Sequence, residues 1–136
     1  MVIHSLLQQM QDDGLGTIGT TLQVGTLAVD TNGKSINGIA VALRGSAVNR
    51  TQIEIQAIDF YCFASNPLTV IEQAQSILEW LRESFSEVCN LPAMPPLTDT
   101  YSNVVIVPTS SAEYVGVTDN GFHSYLVSAE IRYIKD

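Results

Sequence analysis

Apolar residues at Ile3, Leu6, Leu7 and Met10 recur at helical spacing between polar neighbours, which predicts a short amphipathic helix over residues 2–13. Gly14 and Gly16 end it. The stretch 14–19 reads as a flexible connector, because it lacks lysine and no helix follows as a phosphate loop requires. Residues 26–30 and 38–44 are strand-like, with Asn32-Gly33 and Asn37-Gly38 supplying turn residues between them. From 51 to 63 the pattern first alternates (Gln52-Ile53-Glu54-Ile55-Gln56-Ala57), then turns apolar at both parities through Phe60, Tyr61, Cys62 and Phe63. That describes a strand half exposed at its start and buried on both faces at its end. Asn66-Pro67 stops it, and Thr69 with Glu72 has the spacing of a capping box that opens the main helix. Val70, Ala74, Ile77, Leu78, Leu81 and Phe85 form its apolar stripe, while Glu72, Glu79, Arg82, Glu83 and Glu87 fill the other face.

Residues 91–101 hold Pro92, Pro95 and Pro96 without periodicity and predict an irregular loop. A short buried strand follows at 103–107. Residues 112–117 read as a strand, Asp119-Asn120-Gly121 as a tight turn, and 123–134 as a long strand in which Tyr125, Val127, Ala129, Ile131 and Tyr133 alternate with polar residues. The expected fold is α+β: a single domain over 1–136, with a mixed, mostly antiparallel sheet, two helices packed on it and a terminal β-hairpin.

Composition narrows the function classes. With 136 residues the chain fits one domain that can build its own core. Only 15% of residues are charged, against about 25% in an average soluble domain, and 14 acidic against 6 basic residues give a net charge of -8. The bases Lys34, Arg44, Arg50, Arg82, Arg132 and Lys135 are scattered along the chain, so no basic stripe for phosphate backbones is expected. Aromatics fall on strands, where they serve core packing more often than base stacking. No apolar run approaches the ~18 residues of a membrane span, and the first residues lack the basic and apolar regions of a secretory signal. Synthesis in the cytoplasm is the expectation. Cys62 and Cys89 are too few and too far apart for a zinc or redox motif and read as buried thiols.

No catalytic constellation is apparent. His4 and His123 lie at opposite ends of the chain, and neither has a ligand-like neighbour in sequence. Asp12-Asp13 sits at a helix C-terminus, where carboxylates oppose the dipole, and reads as surface charge. The glutamates of the main helix form no pair of distinguishable acid and base. Catalytic, cofactor-binding and metal residues are therefore all expected to be absent, and no cofactor is implied.

Three stretches nevertheless carry a likeness: Leu15-Gly16-Thr17-Ile18-Gly19-Thr20 after the first helix, the strand-to-helix passage 53–81 with Glu72-Gln73-Ala74, and Tyr114-Val115-Gly116-Val117-Thr118-Asp119-Asn120-Gly121 before the last strand. Together with the element order they resemble the tail terminator proteins of long-tailed bacteriophages, a group that includes lambda-type terminators and phage minor capsid proteins of similar length. Family members often carry an acid where this chain has Thr118.

The resemblance implies a structural virion protein with no reaction and no cofactor. Six copies would form a homohexameric ring on the head-proximal end of the tail tube, ending its polymerisation and meeting the head-completion or neck protein, with DNA passing through the lumen unbound. An acidic lumen would suit that passage, since like charge removes the counterion-release gain of phosphate binding. Glu72, Glu79, Glu83 and Glu87 are the candidates for it. Tyr125, Val127, Ile131 and Tyr133 of the last strand, with Leu27 and Val41 of the early strand pair, are the candidate subunit contacts. Two alternatives stand beside this reading: another head-tail connector, and a small cytosolic enzyme or ligand-binding domain with a pocket near Tyr101 and Asp99.

Overall fold

The computed structural model describes residues 2–25, 37–50 (45–50 by their backbone alone), 53–85, 87–118 and 121–136. Helix α1 (Val2–Asp12) buries Ile3, Leu6, Leu7 and Met10, the stripe its spacing predicts, together with Val2 and Ser5. It ends in a Schellman motif. Gly14 adopts φ +83, its N–H bonds to Gln11 O at 3.1 Å, and the Leu15 N–H reaches back to Met10 O at 2.9 Å.

The glycine-rich stretch that follows is a tied loop and not the flexible connector expected. Thr17 O accepts from the N–H groups of Thr20, Thr21 and Leu22, Thr21 Oγ1 accepts from Thr17 N at 2.8 Å, and Gln11 Oε1 accepts from Ile18 N at 2.9 Å. One backbone oxygen and two side-chain oxygens, one of them from α1, hold the loop in place. It leads into β1 (Leu22–Val24), which runs parallel to β2 (Gly38–Arg50). Gly38 is required at the junction: a Cβ there would meet Thr21 O at 2.8 Å, and Thr21 O already accepts from Ile39 N at 2.7 Å. The strand expected over 26–30 lies outside the described residues.

Strand β3 (Ile53–Ala64) pairs antiparallel with β2 on one side and with β7 (His123–Lys135) on the other. Helix α2 (Pro67–Ser84) starts earlier than the capping box predicts. Asn66 is its N-cap, accepting from Leu68 N at 2.8 Å, and Pro67 occupies the first turn, where its missing N–H costs nothing. Asn66-Pro67 therefore stops the strand and opens the helix at the same place. Val70, Ala74, Ile77, Trp80 and Leu81 are buried along α2, and Phe85 caps its end.

The expected loop at 91–101 is shortened by β4 (Cys89–Leu91), which pairs with β5 (Tyr101–Pro108). Strand β6 (Glu113–Val117) pairs with the beginning of β7 as the predicted hairpin, while β5 pairs with its later half. The sheet order is β1-β2-β3-β7-β5-β4, with β6 beside β7. One parallel pair among antiparallel ones makes the sheet mixed and mostly antiparallel, as predicted. Helix α2 packs on β3, β7 and β5, whereas α1 touches β1 and β2 at one end of the order and β4 at the other, so the sheet curls around the helices. One core joins them, built on Ile58, Phe60, Val127, Ile131, Ile77 and Leu6.

Candidate assembly interface

Four of the predicted contact residues, three on β7 and one on β2, belong to this core. Val41, Val127 and Ile131 have no exposed surface, and Tyr133 is 5% exposed. Tyr133 packs edge-on against Tyr101, with ring centres 5.3 Å apart. Burial pushes the Tyr133 phenol well above its usual range, and a hydrogen bond and charge from Glu54, its register neighbour on β3, add to the rise. Strand β7 also has no free edge along its paired length, because β3 lines one side and β5 and β6 share the other. The alternation identified one face of β7 correctly, but that face meets the helices of its own chain. These four side chains are thus corrected from subunit contacts to core. Leu27 lies outside the described residues. Tyr125 stays partly accessible, its ring 5.4 Å from that of Tyr114.

Exposed apolar surface concentrates one strand over. On β6, Tyr114, Val115 and Val117 are 52%, 56% and 55% exposed, and Gly116 at φ +144 marks a register shift against β7. The Tyr114 hydroxyl lies 3.2 Å from His123 Nδ1, which holds the ring beside the hairpin. The outer edge of β6 pairs with no described strand. Five residues interrupted by glycine give too short an alternation to show which of them face outward, so the sequence pattern passed over this strand as a contact surface.

Helix α2 presents Glu72, Glu79 and Glu83 on its exposed side, as expected. Glu87 is exposed too, but it lies beyond the helix in the passage to β4. Between the end of α2 and β5 runs an apolar groove of about 310 Å³, walled by Leu81, Phe85 and Val105–Pro108 with Arg82 at its rim. A larger cavity of about 430 Å³ lies between Gly14, Thr21, Gly38, Glu72 and Gln73, where Gln73 Oε1 is buried without a partner. Thr21, Asn37, Thr69 and Ser76 complete its polar lining.

The second face of the sheet is tied by a polar cluster. Asp59, 7% exposed on β3, accepts from the Arg44 guanidinium on β2 through two nitrogens at 3.3 Å each and from Ser128 Oγ on β7 at 2.8 Å. It fixes the register of three neighbouring strands. At the edge of the core, Asp13 Oδ2 accepts from Trp80 Nε1 at 2.8 Å, joining the end of α1 to α2. Along the chain Asp13 reads only as surface charge, because its partner lies 67 positions away.

Cys62 is buried and unpaired, and burial pushes its thiol up to about 12; Cys89 is half-buried, raised by burial and by the charge of Asp13. Neither is poised as a nucleophile. Tyr101 is buried, and Asp99 pairs with Lys135 at 3.7 Å. Among the described residues no group of three or more His, Cys, Asp or Glu could hold a metal ion, and no helix is long and apolar enough to cross a membrane. No protein-family model matches the sequence, and no curated protein matches it.

Proposed function

We propose that the chain is the repeating subunit of a phage tail-terminator ring. The observation that carries this reading is the exposed apolar surface of β6, an edge strand unpaired on its outer side among the described residues, in a chain otherwise fringed with carboxylates. An exposed apolar edge favours strand addition by another chain unless it is covered. A head-to-tail ring contact needs two different surfaces on one subunit. The sheet supplies two unlike edges: β1 on one side, and β6 with the free part of β5 on the other.

In this reading six copies close on the end of the tail tube, stop its growth and present a face to the neck protein. Glu72, Glu79 and Glu83, aligned along α2, are the carboxylates offered to the lumen, where they repel DNA phosphates and keep its passage free. The protein acts by shape and charge, without a chemical step.

The test is negative-stain imaging of the purified protein with tubes built from the tail tube protein encoded beside it. Rings at one end of tubes of uniform length are expected. Tubes that keep growing with bare ends, with the protein left free, would overturn the reading.

A further inference from the structure

The groove beside α2 lies on a strand edge and not on a sheet face. Val105, Ile106, Val107 and Pro108 line it in succession, so side chains from both faces of β5 reach it, and Leu81 and Phe85 close the helix side. Among the described residues β4 pairs with β5 only between Tyr101 and Val104, which leaves 105–108 with no strand on its outer side. An extended segment laid there would form main-chain hydrogen bonds along the edge and place alternate side chains in the groove. Arg82 stands at the rim and, among the described residues, takes part in no ion pair.

The chain itself carries a segment that matches. Strand β6 follows β5 in the same direction along the same side of β7, and its outer edge is also unpaired among the described residues. Tyr114 and Val117 stand opposite Tyr125 and His123, in the row of β7 that faces the helices. Glu113 stands opposite Leu126, on the other face.

We propose that β6 of a second copy of this chain occupies the groove. Donor strand and acceptor edge lie end to end, so two copies related by a two-fold axis perpendicular to the sheet make both contacts at once. The axis passes through the link 109–112, where Ser110 and Ser111 bring small side chains. Pairing is antiparallel and keeps the faces matched: Tyr114 and Val117 enter beside Leu81 and Phe85 of the other copy, with the Tyr114 ring under Arg82. Charge favours this site over the rest of the surface. Copies carrying -8 repel one another, and here Arg82, in no ion pair among the described residues, flanks the apolar edge. The dimer covers an edge that a head-to-tail ring needs, so the two assemblies exclude each other and the dimer holds the protein back until a tube end competes for it. That consequence alone rests on the ring reading.

Sedimentation equilibrium of the protein without tubes tests the contact. A monomer–dimer equilibrium in the micromolar range is expected, with Val117→Lys and Arg82→Glu each weakening it about tenfold or more at an unchanged thermal midpoint. A monomer at all concentrations, or a dimer indifferent to all of these changes, would overturn the proposal. A hexamer without tubes would also overturn it while upholding the ring, and ring formation on tubes by a monomeric protein would separate the two ideas from the other side.

Discussion

Replacing Asp13 by alanine removes the acceptor of the Trp80 indole N–H, a bond of 2.8 Å between the residue that follows α1 and the C-terminal part of α2. Trp80 is 7% exposed and packs edge-on against Phe60 and Phe85, so its ring cannot turn to find water without breaking those contacts. Hydrogen bonds to a charged partner contribute about 1.5–3 kcal/mol, and an exposed carboxylate falls at the lower end because water competes for it. Against this stands the repulsion of a carboxylate at a helix C-terminus, about 0.3–1 kcal/mol, which alanine relieves. The expected net cost of Asp13→Ala is about 1 kcal/mol. Asp13→Asn keeps an acceptor oxygen and loses the repulsion, so it should stay within about 0.5 kcal/mol of the parent. Urea unfolding measures both, and the chain has a single tryptophan, so fluorescence reports on this ring alone. A cycle with Trp80→Phe, followed by circular dichroism, isolates the pair, and a coupling of about 1 kcal/mol is expected. Coupling below about 0.3 kcal/mol, or Asp13→Asn as damaging as Asp13→Ala, would refute the reasoning.

Two further outcomes follow from burial and close approach. The Cys62 thiol, ordinarily titrating at 9.0, is pushed up to about 12, so the fold favours its protonated form; that contribution is complete below pH 9 and fades as pH rises toward 12. Urea melts at pH 8 and 10 should differ by about 1.4 kcal/mol from this group, a slope that Cys62→Ala removes. The raised phenols of Tyr101 and Tyr133 steepen the loss above pH 10. Gly38→Ala drives a methyl to within 2.8 Å of a backbone oxygen that cannot turn aside, and should lower stability by about 1–3 kcal/mol in the same melts.

The long, strongly patterned segments were legible in the sequence. The stripe of α1, the core face of α2 and the alternation of β7 all recur over ten or more residues, which is enough for a period to emerge. Strands β1 and β4, with three residues each, offer no period, and they exist because a longer neighbour supplies their partners. The start of α2 was misplaced because Thr69 and Glu72 imitate a cap, while Asn66 and Pro67 provide one. The contact surface was misassigned for a topological reason. Alternation tells which residues of β7 share a face, but the position of β7 in the middle of the sheet depends on pairings with residues near 53–64 and 101–117, which no local pattern records.

The central place of β7 also sets an order of events in time. It leaves the ribosome after both of its long neighbours, yet β3 and β5 find their shared neighbour only in it, and β3 waits for residues about 70 positions further on. Until then β3 and β5 each expose a bare edge, and pairings this distant in sequence form slowly. Newly made chains crowded on one messenger are therefore most prone to sticking together in the seconds before β7 emerges, and a stop codon or frameshift ahead of it leaves two half-sheets with nothing to join them.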